Sequence, residues 1–497
     1  MRRLAPLLAL LALAVGCGGD ESTDPLVAGL SYLPADTPFV AAVDTNLQGD
    51  QVEALDSILK RFPVGGSIEG LLRQAVEEGE GDYDFDGDLK PLLGNPFVVG
   101  STDVASFVGD GDDGNFVGAI EEKETGAIDR LIEQTKPEEH GEVAGAAVYE
   151  DEGTFFAVEG EVLVLAGSRG LLEDALERRD GDDRLDPDAF EAALADLPDE
   201  ALARFYVDVQ ALIEQDPDTA GARRVEWVSS LRTLGLTASA QEDSIDVEFN
   251  LRGEGDELSD QDLPLAAGDD APGVAREDGE IGLAVRDPSQ IVDFFESAFQ
   301  AVEPAQFGDY ETAKRALAQQ LDLDLDEDVI AQLTGDLSVS VAVDGGFGAR
   351  AEVAEPARFR RTVDKLADAL PRLGAGAGVT GVRRRGELYE AALVDGSRLA
   401  FGMVGDAFVV ASDPARARRL GAASPADVPG AEGSFAAAAD AEQVAGELIG
   451  QLGPQLGLGS GGALGARLFA GPLGDVTGSI STGPDGLRGR FSLAFDD

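Results

Sequence analysis

The chain has 497 residues, with 38 Lys and Arg side chains against 95 Asp and Glu, so its formal net charge is -57. This length favours two or more domains, and a hydrophobic content of 43% is enough to build buried cores. One Cys excludes an intramolecular disulfide and a thiolate metal cluster, and one His leaves little room for His-centred catalysis. The composition therefore excludes most enzyme classes, and we predict no enzymatic activity and no cofactor.

The N-terminus has the layout of a secretory signal peptide. Arg2 and Arg3 precede a run of twelve apolar residues, 4–15, which small residues follow. A membrane-spanning helix needs about 20 apolar residues, so this run is too short to cross a bilayer. We predict that residues 1–16 are a signal peptide that is removed on export.

Residues 13–17 resemble the lipobox of bacterial lipoproteins, in which the Cys is acylated and becomes the mature N-terminus. Ala14 stands where that motif usually has Leu. The resemblance implies that Cys17 is a lipid anchor, and two or more acyl chains hold a protein on a membrane stably where one chain is marginal. The alternative is an ordinary cleaved signal peptide with Cys17 as an incidental thiol. We predict a flexible lipidated tether over residues 17–29 and localisation on the extracytoplasmic face of the cell membrane.

The two halves of the chain repeat one order of elements at low sequence identity. The acidic stretch 84–89 and the apolar stretch 94–99 are matched, at an offset of 240, by residues 324–329 and 334–339. Matched strands and helices continue the repeat, at 116–132 against 347–363 and at 160–166 against 405–411. We predict two internally duplicated lobes, residues 30–253 and 270–497, joined by an acidic linker, 254–269.

Each lobe reads as short alternating strands between amphipathic helices. Alternating hairpins close both halves, at 234–251 and at 476–495. This pattern predicts an α+β fold in which the strands are mainly antiparallel and the helices pack on them. Asp residues follow or end four of the strands and are predicted to cap the next helix; they are Asp44, Asp208, Asp287 and Asp440.

The opening of the mature body, Tyr32–Thr45, resembles the start of an uncharacterised family of large bacterial lipoproteins that is known only as a domain of unknown function. The resemblance covers residues 30–497 and includes the acidic helix entry at 84–93. It implies an exported, anchored protein and assigns no activity, substrate or catalytic residue.

Asp82–Gly87 matches the first six positions of an EF-hand loop, with acidic residues at positions 1, 3 and 5 and Gly at position 6. Position twelve is Leu93, so the bidentate Glu that closes such a site is missing. The second copy of this stretch has Asp324, Asp326 and Asp328 but, unlike the first copy, has no Gly that matches Gly87. We predict a capped acidic helix start with weak, salt-sensitive calcium association and no discrete metal site.

Two glycine-rich patterns and two arginine runs are weaker signals. The patterns at 376–381 and 457–462 lack the strand and helix that a dinucleotide site needs. The runs at 383–385 and 416–419 lie in an acidic chain without interleaved aromatic residues, so we predict no nucleic-acid binding. The uncharged stretch 448–466, with seven Gly, is either an apolar loop over a ligand groove or ordinary packing.

The sequence favours a lipid-anchored extracytoplasmic binding or interaction protein, whose partners are membrane lipid through Cys17 and an unidentified envelope component. The alternative is a carrier or chaperone for an apolar ligand. A carboxylate-dependent hydrolase is a distant third possibility, because acidic residues are abundant but no spacing fixes a catalytic pair. An apolar cavity would favour the carrier, converging buried acids the enzyme, and exposed apolar patches the interaction protein.

Overall fold

The computed structural model describes residues 24–63, 65–78, 84–101, 114–151, 153–215, 217–255, 258–373, 378–452 and 460–496. The described part divides into two compact units. The first unit consists of the described residues up to Gln215 and of Arg232–Arg252. The second unit consists of residues 217–231 and of the described residues from Gly253 to Asp496.

Several helices of the first unit begin at side-chain caps. Asp24 accepts a hydrogen bond from the Leu26 N–H at 2.9 Å, and Asp186 accepts one from the Asp188 N–H at 3.0 Å. These helices are α1 (Pro25–Leu30), α2 (Asp50–Leu59), α3 (Ile68–Glu78), α4 (Ala127–Thr135), α5 (Arg169–Arg178), α6 (Pro187–Leu194) and α7 (Val209–Gln215), with a π-helical turn at Phe85–Leu89.

The strands of the first unit are β1 (Phe39–Val43), β2 (Phe97–Ser101), β3 (Phe116–Glu121), β4 (Glu138–Val143), β5 (Ala146–Asp151), β6 (Thr154–Glu159), β7 (Val162–Ala166), β8 (Ala203–Asp208), β9 (Leu231–Ala240) and β10 (Ser244–Gly253). Their order in the sheet is β4-β5-β6-β7-β3-β2-β1-β8-β9, with antiparallel neighbours, and β9 also pairs with β10.

Both faces of this sheet are covered, because successive side chains of a strand point to opposite faces. Val98 lies in a core with α1, α5 and α6, where Phe190 is fully buried. Its neighbour Phe97 lies in a second core, which includes Leu72 and Val76 of α3. The first unit is therefore a sheet between two helical layers.

The second unit contains the helices α8 (Glu226–Ser230), α9 (Pro288–Val302), α10 (Pro304–Leu321), α11 (Leu325–Asp328), α12 (Pro356–Leu373), α13 (Pro414–Ala422), α14 (Ala441–Leu452) and α15 (Ser460–Ala470). Its strands are β11 (Glu280–Val285), β12 (Leu337–Ala342), β13 (Phe347–Glu352), β14 (Val379–Arg385), β15 (Leu388–Leu393), β16 (Arg398–Val404), β17 (Ala407–Ala411), β18 (Phe435–Asp440), β19 (Leu473–Gly483) and β20 (Gly486–Phe495).

The second sheet has the order β14-β15-β16-β17-β13-β12-β11-β18-β19-β20, with antiparallel neighbours throughout. When the ten described strands of each unit are numbered from that unit's own first strand, both sheets have the order 4-5-6-7-3-2-1-8-9-10. The predicted α+β class with mainly antiparallel strands is therefore confirmed.

The unit boundaries differ from the predicted lobes. Residues 217–231, predicted in the first lobe, belong to the second unit, where the Trp227 ring packs edge-on against Phe294 at a centroid distance of 6.0 Å. The segment predicted as an acidic linker also packs there: Leu263 is fully buried, and the Gln290 amide donates to the carbonyls of Asp260 and Leu263, both at 2.8 Å. The prediction of a linker is based on the polar composition of the segment, and composition does not show that one apolar residue, Leu263, holds the segment against the unit.

The predicted aspartate caps are right for Asp208 and Asp440. Their side chains accept from the Ala211 N–H at 2.8 Å and the Gln443 N–H at 2.9 Å. The prediction is wrong for Asp44, which forms a turn with Asn46. Asp287 does occupy the position before α9, with Pro288 next, but its φ is 39° and its side chain binds the Ser289 hydroxyl instead of a helix N–H. Asp at a strand end serves turns as well as helices, so the residue type alone does not decide.

The described flanks of the glycine-rich stretch 448–466 are helical, in α14 and α15, and residues 453–459 lie outside the described part. No described helix combines the length and the apolar character needed to cross a bilayer.

Candidate functional site

Two residues singled out from the sequence lie outside the described part of the chain. These are Cys17, the predicted lipid anchor, and Asp82, the first position of the EF-hand-like match. The remaining acidic residues of that match lie in the π-helical turn Phe85–Leu89 and directly before it.

The carboxylates of this turn are engaged by the protein itself. The Asp84 side chain accepts from the Gly87 N–H at 2.6 Å, and the Asp88 side chain accepts from the Asp84 N–H at 2.7 Å. Asp86 forms a two-point contact with the Arg73 guanidinium, and this hydrogen bonding holds the pKa of Asp86 below its usual range. The arrangement is that of a capped helical turn with an ion pair beside it.

The second unit repeats this geometry. Asp324 accepts from the N–H groups of Asp326 and Glu327, both at 3.0 Å, and Asp328 accepts from the Asp324 N–H at 3.1 Å. Arg358 donates to Asp328 at 2.8 Å, which lowers the pKa of that carboxyl. Within the described residues, no group of three or more His, Cys, Asp or Glu side chains is arranged to hold a metal ion. Weak calcium association remains a prediction.

A cleft of about 520 Å³ lies beside α10 and α11 and is lined by charged residues. Lys314 bridges Glu296 at 2.7 Å and Asp326 at 2.5 Å. Desolvation opposes the charged form of Lys314, but hydrogen bonds to these two carboxylates outweigh it and raise its pKa. Lys314, the one Lys among the described residues that line this cleft, is therefore already paired with carboxylates.

A smaller cavity of about 320 Å³ is lined by Trp227 and Phe294 together with Arg224 and Asp262. The Trp227 indole N–H has no hydrogen-bond partner among the described residues. The Ser259 hydroxyl and N–H both bind Asp262, which lowers the pKa of that carboxyl. The lining is mixed, with both aromatic and charged groups.

A carboxylate-dependent hydrolase would need converging buried acids, and several of the buried carboxylates have structural partners instead. Glu122 accepts from the Gly126 and Ile128 N–H groups at 2.5 and 2.7 Å, at the start of α4. Glu280 is paired with Arg416 at the start of β11. Asp88 is also buried and accepts from the Asp84 N–H, so the fold already uses each of these three carboxylates.

An exposed apolar row crosses three strands of the second sheet. Ile281 of β11 is directly opposite Val341 of β12, which is in turn opposite Phe347 of β13. Their exposed fractions are 43%, 46% and 38%, and Leu283, two residues along β11, is 40% exposed. We call these four residues the apolar row. Three adjacent strands therefore present large apolar side chains to solvent on one face.

The strands in the same places of the first sheet are covered on this face. Ala41 of β1 and Ser101 of β2 are buried, and Val99 and Phe116 pack on the core that α3 completes. In the second unit the helix after α9 does not do this: the buried residue of α10 is Leu321, at its last position. The apolar row is exposed because α10 does not pack on the sheet as α3 does.

Further apolar side chains are exposed on helices of the second unit. Phe295 of α9 is 67% exposed, and Leu464 and Leu468, one turn apart on α15, are similarly exposed. Sequence reasoning missed the apolar row, because the residues on both faces of β11 are apolar or small and its pattern does not show which face is covered.

A family model described as a protein of unknown function, DUF3352, matches residues 7–355. No curated protein matches the chain. Two crystal structures of TP0453 are similar to this chain at 12% sequence identity. The match to crystal form III covers 51% of this chain and 91% of the TP0453 chain, with a TM-score of 0.28. The match to crystal form IV covers 46% of this chain and 81% of the TP0453 chain, with a TM-score of 0.27.

Proposed function

We propose that this chain, which belongs to the DUF3352 family of proteins of unknown function, is a lipid-anchored extracytoplasmic interaction protein. Its second unit binds a partner protein that has a complementary apolar face. The observation that carries the proposal is the apolar row of Ile281, Leu283, Val341 and Phe347.

An exposed row of this kind is unusual on a chain with a net charge of -57. Single apolar side chains on a surface need no explanation, but contiguous ones mark interaction sites. Strand pairing fixes Ile281, Val341 and Phe347 side by side, so the row is a rigid platform that loses little conformational entropy on binding.

The anchoring part of the proposal is supported by the sequence. The apolar run 4–15 ends two residues before Cys17, and the small, polar residues that come after it suit a tether. The acidic body is repelled by anionic lipid surfaces, which leaves the apolar row accessible to a partner.

We also propose that the two units derive from one duplicated lobe, as the repeat over 30–253 and 270–497 predicts. Two observations support this. One is the common strand order. The other is the pair Asp84 and Asp88, which recurs 240 residues later as Asp324 and Asp328: the first Asp accepts from the N–H three residues on, and the second accepts from the N–H of the first. Duplication lets one copy keep the fold while the other exposes a sheet face for binding.

The alternative function, a carrier or chaperone for an apolar ligand, is favoured by α15. Its exposed Leu464 and Leu468, with Phe469 beside them, form an apolar helix face. Such a face, together with Phe295, would suit an acyl chain rather than a protein.

The test places a photo-cross-linking amino acid at Val341 in the native host. The control is Val394, which is 60% exposed but lies in a turn outside the apolar row. We expect a discrete protein adduct from position 341 and not from position 394, and loss of that adduct when Cys17→Ser releases the chain from the membrane. A lipid adduct at position 341 supports the carrier instead, and no adduct, or equal adducts at both positions, contradicts the proposal.

A further inference from the structure

Each unit has a sheet edge at which one strand has a single neighbour among the described residues. In the first unit this strand is β4, which pairs with β5; in the second it is β14, which pairs with β15. The outer side of an edge strand presents backbone N–H and C=O groups that can pair with a strand of another chain. The two edges are therefore potential interfaces.

The β4 edge is acidic. Glu138, Glu139 and Glu142 are exposed, and Glu138 is directly opposite Glu150 of β5. His140, the one imidazole of the chain, lies among them with its Nε2 3.1 Å from the Glu150 carboxylate. One imidazole carries at most one positive charge and does not balance these carboxylates, so the edge is negative.

The β14 edge is basic, in a chain with few basic residues. Arg383, Arg384 and Arg385 are consecutive and exposed, and the Arg384 guanidinium lies 5.6 Å from the centre of the Tyr389 ring. Glu390 of β15 is 3.6 Å from Arg385 but also binds Arg398 at 3.1 Å. One carboxylate thus serves two guanidinium groups, and the edge remains positive.

These charges disfavour two of the three pairings that the edges could make. Like charges directly opposite each other destabilise strand pairs, so pairing of β4 with β4 of another copy, or of β14 with β14, is disfavoured. Charged edge strands also protect proteins from aggregation, but charges of the same sign on both edges would be enough for that purpose. Opposite signs leave the pairing of β4 with β14 favoured.

We propose that this protein self-associates by adding β4 of one copy, antiparallel, to β14 of a second copy. This places the acidic start of β4, Glu138 and Glu139, beside the basic end of β14, Arg384 and Arg385. The contact joins two different surfaces, so each added copy leaves one β4 and one β14 free, and a row of copies results.

On each of the two edge strands, one outward backbone carbonyl is already hydrogen-bonded within the chain, and the other outward groups can pair with an added strand. The Arg169 side chain already donates to the His140 carbonyl at 3.0 Å, and the Arg418 side chain donates to the Arg385 carbonyl at 3.3 Å. The added strand uses the other outward groups, and both strands carry a bulge that sets their register, between Glu139 and Glu142 and between Val379 and Gly381.

The test compares the full chain in detergent with two charge-reversed variants by sedimentation velocity. The first variant, Arg383→Glu with Arg385→Glu, makes both edges acidic, and the second, Glu138→Arg with Glu139→Arg, makes both edges basic. We expect concentration-dependent association of the natural chain in about 0.1 M salt and its loss near 1 M, where the screening length falls to about 3 Å. Each variant alone should remain monomeric, and an equimolar mixture of the two should associate again.

Restored association in the mixture shows that both variants are folded and that the charges act between copies. Association that persists in either variant alone, or a natural chain that stays monomeric at low salt, overturns the proposal. Binding of the monomeric natural chain to anionic vesicles, lost in the first variant, would overturn it too and assign the basic edge to lipid headgroups.

Discussion

The ion pair between Glu280 and Arg416 gives the sharpest test of how the second unit is held together. The two side chains are 4% and 8% exposed. Glu280 also accepts from the Glu277 N–H at 3.1 Å, and it begins β11 directly before the apolar row. Arg416 of α13 lies so close to Gly346, the residue before β13, that a Cβ there would be 2.4 Å from its Nη1. The pair therefore joins a helix to the sheet in a region that water does not reach.

We predict that Glu280→Gln lowers the free energy of unfolding of the second unit by about 3–5 kcal/mol, because it leaves the Arg416 charge buried without a partner. The double variant Glu280→Leu with Arg416→Met should be much less destabilised, since it removes both charges and keeps the volume. At a urea slope of about 2–3 kcal/mol per M, the single substitution shifts the midpoint by about 1 M or more.

Trp227 supplies the assay, because it is the one Trp of the chain and belongs to the second unit. Urea unfolding followed by its fluorescence reports on that unit. The matched control is Glu277→Gln, which breaks the exposed pair with Arg419 one helical turn away and should leave the midpoint unchanged. If both substitutions shift the midpoint equally, or if the double variant is less stable than the single one, the reasoning is wrong.

Two other predictions concern close packing and pH. Gly235→Ala should destabilise the first unit by about 1–3 kcal/mol or more, because the added Cβ would lie 2.2 Å from the Ala193 carbonyl oxygen. The control Gly170→Ala, whose Cβ would meet no atom within 4 Å, should not destabilise it. Thermal unfolding followed by circular dichroism compares the two variants. Arg358 depresses the pKa of Asp328, so the stabilisation is present above the unfolded value of about 3.9 and is lost as the pH falls through the folded one. The stability difference between the natural chain and Asp328→Asn should therefore be largest near neutral pH and vanish in strong acid, and a constant difference would contradict this.

Much of the local structure could be predicted from the sequence, because local hydrogen bonding decides it. The acidic starts at Asp84 and Asp324 predict capped turns, and the structure has them with matching bonds. The hairpin that closes the second unit follows from alternation and a Gly at the turn, Gly486, with its φ of 127°. In each case the partners are close along the chain.

Features that depend on distant packing could not be predicted in this way. Trp227 and Leu263 attach to the second unit through contacts made far along the chain. The exposure of Val341 depends on whether α10 packs on the sheet. In hindsight, the sequence of α10 indicates that it does not. α10 has mostly Ala and polar residues where α3 has Leu72 and Val76 to bury.

The proposed function requires that Cys17 attaches the chain to the membrane, and the mass of the native N-terminal peptide tests this directly. Protein isolated from host membranes should begin at Cys17 and carry a diacylglyceryl group, and Cys17→Ser should appear in the soluble fraction or keep residues 1–16. A native chain that begins elsewhere, or whose Cys17 carries no lipid, contradicts the account of an anchored interaction protein.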